Sequence, residues 1–148
     1  SIVFTIVATE SIANAYVSLK LLIQRPDIIM LQMSMLMSDT ERLLKDVDSP
    51  WVKAGLDTVA MGVAGETPRQ WFETLGRDIV HTHFIDGRPY AHLVWGDGSH
   101  HLGRFIETLN RYGYEGYLGQ EITDGRYFMD PAAADARNMK NFERYIED

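Results

Sequence analysis

An α/β chain of βα units around a parallel sheet is the fold class that the 148-residue sequence predicts. Three observations carry the prediction. From Asp39 onward, segments with apolar residues at helical spacing alternate with short apolar runs of strand length. The helix-like segments open on capping or Pro signals and close on Gly or Pro. A composition of 45% hydrophobic and 24% charged residues is ordinary globular material, sufficient for one core.

Residues 1–38 are the least regular part. Residues 17–23 read as a buried strand, and residues 28–37 form an apolar run with four of the seven Met and no decisive period. Residues 1–14 receive no element. The first helix is expected to be capped by Ser38, with Glu41 completing a capping box, Leu43, Leu44 and Val47 forming a buried stripe, and Ser49-Pro50 stopping it. Residues 52–58 follow as a strand with Asp57 near its end. Thr67-Pro68 opens a helix that Gly76 closes, with Pro at a first-turn position where its missing N–H costs little. Residues 78–85 read as a buried strand carrying His81 and His83, and Gly87-Arg88-Pro89 marks the loop leaving it. Leu102, Phe105, Ile106 and Leu109 predict a helix ended by Gly113, and residues 116–122 a short strand containing Glu121. Asp130-Pro131 starts the last helix, through residue 146, with Met139, Phe142 and Ile146 on one face.

Composition also excludes functions. The absence of Cys removes disulfides, thiolate metal sites and a Cys nucleophile, and fits a cytoplasmic setting. A net charge of −7, spread along the chain, argues against nucleic acid as a partner. The opening apolar run, residues 2–7, is too short to span a bilayer and lacks a basic flank, so the sequence, which begins Ser1-Ile2, reads as a trimmed, soluble chain.

Asp57, His83 and Glu121 each fall near the carboxy-terminal end of a predicted strand, one per βα unit. In parallel α/β barrels those ends form a single rim, where residues distant in sequence converge. Each has a bland reading: a turn carboxylate, a core histidine, a surface acid. Their common position favours a shared site, because a polar residue ending an apolar strand is costly to bury without a partner. Mixed carboxylate and imidazole donors suit one divalent Mn, Co, Mg or Zn ion.

The stretches "AGLDTVAMGVAGE", "IVHTHFIDG", "AHLVWGDG" and "YGYEGYLGQEI" resemble the ketose 3-epimerases, fructoselysine 3-epimerase, hydroxypyruvate isomerase and inosose dehydratase, within the xylose-isomerase-like (β/α)8 TIM-barrel superfamily. The resemblance spans residues 39–148 and implies one partial barrel domain with about the last four βα units. It implies a metal held by Glu, Asp, His and Glu, of which Asp57, His83 and Glu121 match the last three. A gapless extension puts Gln24 at the first position, with Glu10 as the nearest upstream acid. The implied chemistry is proton transfer beside a carbonyl through an enediolate, with metal-bound carboxylates as bases. Glu121 is one base, and a Gln at the other position impairs two-base epimerisation. Asp86, Arg88 and His92 are the implied substrate contacts, with Asp86 alternatively holding the His83 region in place or lying on the surface as a loop carboxylate. His81 reads as a core or supporting residue, and His100 and His101 as undistinguished loop residues.

Three alternatives stand beside a ketose epimerase or isomerase. An abasic-site nuclease of the same superfamily needs further metal ligands where this chain has Ala60 and Tyr90. An inosose-dehydratase-type lyase shares the strand-end pattern. A non-catalytic half-barrel would rely on self-pairing or on the remainder of a longer enzyme, since a part-ring exposes sheet edges.

Overall fold

A computed structural model describes residues 4–8, 29–33, 36–88 and 90–145, the first two stretches as backbone strands. Gln24, Glu10, the strand expected at residues 17–23 and Ile146 lie outside the described residues. The elements run β1 (Phe4–Ala8), β2 (Ile29–Met33), α1 (Met37–Val47), β3 (Val52–Asp57), α2 (Thr58–Val63), α3 (Pro68–Leu75), β4 (Ile79–His83), α4 (Leu102–Arg111), β5 (Tyr117–Gly119) and α5 (Pro131–Glu143). The five strands form one sheet in chain order, and every neighbouring pair is parallel. Strands β1 and β2 both arise where the sequence suggested no element, while β3, β4 and β5 answer to three of the expected strands.

Register divides the sheet into two faces. Leu56, Thr82 and Leu118 pair across β3, β4 and β5, and Leu56 and Thr82 are buried. The rows Gly55–His81–Tyr117 and Asp57–His83–Gly119 are offset by one residue and occupy the opposite face. The core joins Ala54 and Leu56 of β3 to Trp71, Phe72 and Leu75 of α3 and to Leu102, Phe105 and Leu109 of α4. Phe84 anchors its far side, with ring centroids 4.9 Å from Trp95 and 5.7 Å from Phe142 of α5. Among the described residues no helix is long and apolar enough to cross a membrane.

Local signals act where they are complete. Thr67 and Gln70 form a reciprocal capping box with Pro68 in the first turn, and Asp130 caps α5 through the Ala133 N–H at 3.0 Å. Ser38 does not cap α1; the helix starts before it. Its first N–H, on Met37, donates to both carboxylate oxygens of Glu66, at 3.0 and 3.1 Å. Glu66 also accepts from the Trp71 indole at 2.7 Å, so one carboxylate joins the start of α1 to α3. On α5 the buried residues are Ala134 and Asn138, whereas Met139 is 43% exposed and does not belong to the expected apolar stripe.

Asp97 ties the loop after β4 to α5. Both oxygens meet the Arg137 guanidinium, and Oδ2 accepts from the Tyr127 hydroxyl at 2.6 Å. Burial alone would raise this carboxyl, but the hydrogen bonds from Arg137 and Tyr127 outweigh it and hold it below the ordinary range. A depressed folded-state value means the stabilisation is present above the unfolded value near pH 4 and is lost as pH falls through the folded one. We expect Arg137→Met to lower the unfolding midpoint slightly at pH 7, with the difference from the parent vanishing in acid. Thermal melts from pH 7 to pH 3 measure this, and the partly exposed pair sets a ceiling of about 1 kcal/mol.

Candidate metal centre

Asp57 ends β3 and is also the N-cap of α2. A strand that turns directly into a helix leaves the first helical N–H groups unpartnered. Asp57 Oδ1 accepts two of them, from Val59 at 2.8 Å and Ala60 at 2.9 Å. This fixes the side chain with Oδ2 3.5 Å from His83 Nδ1. His83 ends β4 and is the direct register partner of Asp57. Its Nδ1 also lies 2.6 Å from Glu121 Oε2. Glu121 comes from the backbone two residues past β5, which stops at Gly119 rather than continuing as expected.

One ligand atom from each of Asp57, His83 and Glu121 lies within 4.8 Å of the other two. Two carboxylates and one imidazole on a common centre provide hard oxygen and borderline nitrogen donors, a set that fits a divalent cation. The electrostatics agree. Burial alone would raise the Asp57 carboxyl, but the His83 hydrogen bond, the Ala60 N–H and the neighbouring imidazoles hold it below its usual range. Burial alone would lower His83, yet Asp57 and Glu121 together raise it. The pocket therefore favours positive charge.

The other predicted residues are distributed differently. Asp86, expected as a substrate contact, a support for the His83 region or a surface carboxylate, is 0% exposed and accepts four backbone N–H bonds. Oδ1 takes Gly87 at 2.8 Å and His100 at 3.0 Å, and Oδ2 takes Gly96 and Gly98, each at 2.9 Å. Its carboxylate is thus the hub of the loop after β4. A Cβ at Gly98 would collide with that carboxylate, which accounts for the second Gly of "WGDG". Arg88 is exposed on the same loop. His92 turns toward Glu121, with Nδ1 3.1 Å from its backbone oxygen and 3.2 Å from Oε2.

His81 lies one row below His83 in edge contact with it, and burial first, then the His83 charge, lowers it. His100 stands over Gly62 of α2 and packs its ring edge-on against Trp95 and Phe105. Asn138, to which sequence reasoning assigned no role, is buried and accepts from the Trp95 N–H at 2.7 Å while donating to Gln120. It holds α5 to the segment just before Glu121. Its only sequence signal was a polar residue on the inner face of an otherwise mixed helix.

The first ligand position, expected at Gln24 with Glu10 as the nearest upstream acid, lies outside the described residues. The strand beside β3 is β2, and it ends at Met33, nine residues beyond Gln24. In the backbone register Gln32 of β2 pairs with Gly55 of β3. Neither β1 nor β2 contains an acidic residue.

The sequence model of the xylose isomerase-like TIM barrel family matches residues 30–145. Fructoselysine 3-epimerases of Escherichia coli O157:H7 and Shigella flexneri are each 26% identical over 111 residues, 74% of this chain and 40% of theirs. The chain therefore spans well under half the length of these curated relatives. Among solved structures, a D-tagatose 3-epimerase-like protein matches 99% of this chain and 65% of its own, with TM-score 0.71 and 19% identity. A 3-keto-D-glucoside 4-epimerase from E. coli matches 93% of this chain and 56% of its own, with TM-score 0.72 and 18% identity. At those identities the structural likeness establishes the fold. The family match covers most of the chain, and on that basis the chain belongs to the xylose isomerase-like TIM barrel family.

Proposed function

We propose that this chain is the metal-holding part of a divalent-metal-dependent sugar epimerase or isomerase that moves a proton on the carbon beside a carbonyl. The convergence of Asp57, His83 and Glu121 at the strand ends is the observation that carries the reading. Support also comes from relatives described as fructoselysine and ketose 3-epimerases.

Asp57, His83 and Glu121 would hold one Mn, Co, Mg or Zn ion. When bound, the ion polarises the substrate carbonyl oxygen and offsets the negative charge that develops there. Glu121 is the base: its side chain is 40% exposed, the most accessible of the three. It takes the proton from the carbon beside the carbonyl, the C–H electron pair forms the carbon–carbon double bond of an enediolate, and the proton returns to carbon as the carbonyl re-forms. Asp57, capping α2 and held anionic, and His83 keep their positions through that cycle. Arg88, exposed on the loop after β4, is assigned to a substrate oxygen.

A second reading concerns which proton transfer follows. Two-base epimerisation needs a second carboxylate opposite Glu121, and the position that the family resemblance gives for it carries Gln24. This favours one-base chemistry, an isomerisation or a dehydratase-type elimination, over inversion by two carboxylates. Among the described residues five strands form the sheet, with β1 and β5 at its ends, whereas a closed ring of eight needs further strands. We assign those to the remainder of the barrel or to a partner.

Deuterium exchange tests the proposal. The Mn-loaded chain, incubated in D2O with a panel of ketoses and their sugar-acid analogues, is expected to place deuterium on the carbon beside the carbonyl of at least one. Glu121→Gln is expected to slow that exchange by roughly a thousandfold. Metal-loaded protein that exchanges no substrate, or a Glu121→Gln variant that exchanges as fast as the parent, would sink the catalytic assignment.

A further inference from the structure

Glu121 lies outside regular structure, two residues past the end of a three-residue strand, and its side chain is 40% exposed. A glutamate so placed ordinarily samples several rotamers, and ordering it costs conformational entropy. A base or ligand in that setting requires an external hold. His92 meets the requirement from the opposite loop: its Nδ1 lies 3.1 Å from the Glu121 backbone oxygen and 3.2 Å from Oε2.

His92 is itself fixed on both sides. The next residue, Leu93, is fully buried and exchanges two backbone hydrogen bonds with Asp86, Asp86 N–H to Leu93 O at 3.0 Å and Leu93 N–H to Asp86 O at 2.8 Å. The His92 carbonyl accepts from the Asp124 N–H at 3.3 Å, tying the loop after β4 to the segment that carries Glu121. The ring therefore stands on a braced backbone, with the Asp86 carboxylate organising the rest of that loop.

We infer that His92 is a positioning residue whose Nδ1–H bridges the backbone oxygen and carboxylate of Glu121, holding that carboxylate toward His83 and Asp57. Substrate contact is the role implied by family resemblance; the Nδ1 side of the ring faces Glu121. Both acceptors are oxygens, so the contact requires the proton on Nδ1, and Nε2 is then the unprotonated nitrogen in the neutral ring. His92 does not join the close group of three donors, which fits action through Glu121 rather than direct ligation.

This inference rests on the proposed metal site, and two measurements separate their failures. The first needs no metal: long-range ¹H–¹⁵N spectra of the full chain at a pH where histidine is neutral should show His92 protonated on Nδ1. An Nε2-protonated His92 would overturn the inference. The second titrates Mn2+ into the parent, His92→Leu and His92→Asn, whose amide nitrogen stands where Nδ1 does. His92→Leu should weaken Mn2+ binding about tenfold with an unchanged melting temperature, and His92→Asn should recover most of the loss. Equal affinity in parent and His92→Leu, or equal loss in both variants, would contradict the positioning role. A parent chain that binds no Mn2+ would remove the metal site itself and, with it, the tenfold effect, leaving the tautomer to decide the His92–Glu121 contact.

Discussion

Asp86→Ala is expected to destabilise the chain by about 3–5 kcal/mol, because it leaves four N–H groups inside the loop after β4 without their acceptor. Each bond to a buried carboxylate is worth roughly 1.5–3 kcal/mol, and the four are not additive, since the loop can partly relax toward water. Against a typical domain stability of about 5–15 kcal/mol, the loss approaches unfolding. Urea denaturation of parent, Asp86→Ala and Asp86→Asn measures it. Asp86→Asn should fall between them, because an amide keeps one acceptor oxygen for the N–H groups and turns its own nitrogen donor toward the others. An Asp86→Ala variant as stable as the parent would mean that the loop does not depend on this hub.

The second large effect concerns the metal donors. Asp57→Ala and His83→Ala are each expected to weaken Mn2+ binding by at least about a hundredfold, roughly 3 kcal/mol, since groups that merely support metal ligands already cost about 10–100-fold when removed. Asp57→Ala also strips α2 of its cap, which adds about 1 kcal/mol of destabilisation. Asp57→Asn separates the two roles: asparagine caps nearly as well as aspartate but brings no charge to the cation. Isothermal titration of Mn2+ beside melting curves should therefore show Asp57→Asn losing metal affinity while keeping most of the fold's stability. Metal affinity retained in all three variants would place the ion elsewhere.

How far the sequence could be read depends on how local each determinant is. The Thr67–Gln70 box, Pro68 and Asp130 act within one turn, and α3 and α5 begin where those residues indicate. The start of α1 was misplaced because its cap is Glu66, 29 residues away, a partner no local pattern contains. Helix α2 was missed because "TVAMGV" is rich in β-branched residues of modest helix preference; Asp57 initiates it by holding two of its first N–H groups. The same contact accounts for Asp57 being legible as a site residue while its mechanical role was not.

The candidate site was legible as three strand-end residues, and their convergence follows from the parallel register that pairs Asp57 with His83 and His83 with Gly119. Asp86 stays open in the sequence between a substrate contact, a support for the His83 region and a surface carboxylate, because a lone acid in a loop gives no sign that backbone groups up to fourteen residues ahead will fold around it. Gln24 came from a gapless extension through an irregular apolar run. The strand edge beside β3 ends at Met33, and Gln24 lies outside the described residues. The composition of residues 28–37 could not locate that edge, because Met and Leu suit strand and helix cores alike.

The most direct test of the central claim is the metal content of the purified chain, determined by elemental analysis after gel filtration and again after incubation with Mn2+ and removal of the excess. Close to one equivalent of a divalent ion per chain is expected, absent from the His83→Ala variant treated in the same way. Less than a tenth of an equivalent in the parent after Mn2+ is supplied, or equal content in parent and variant, would contradict it.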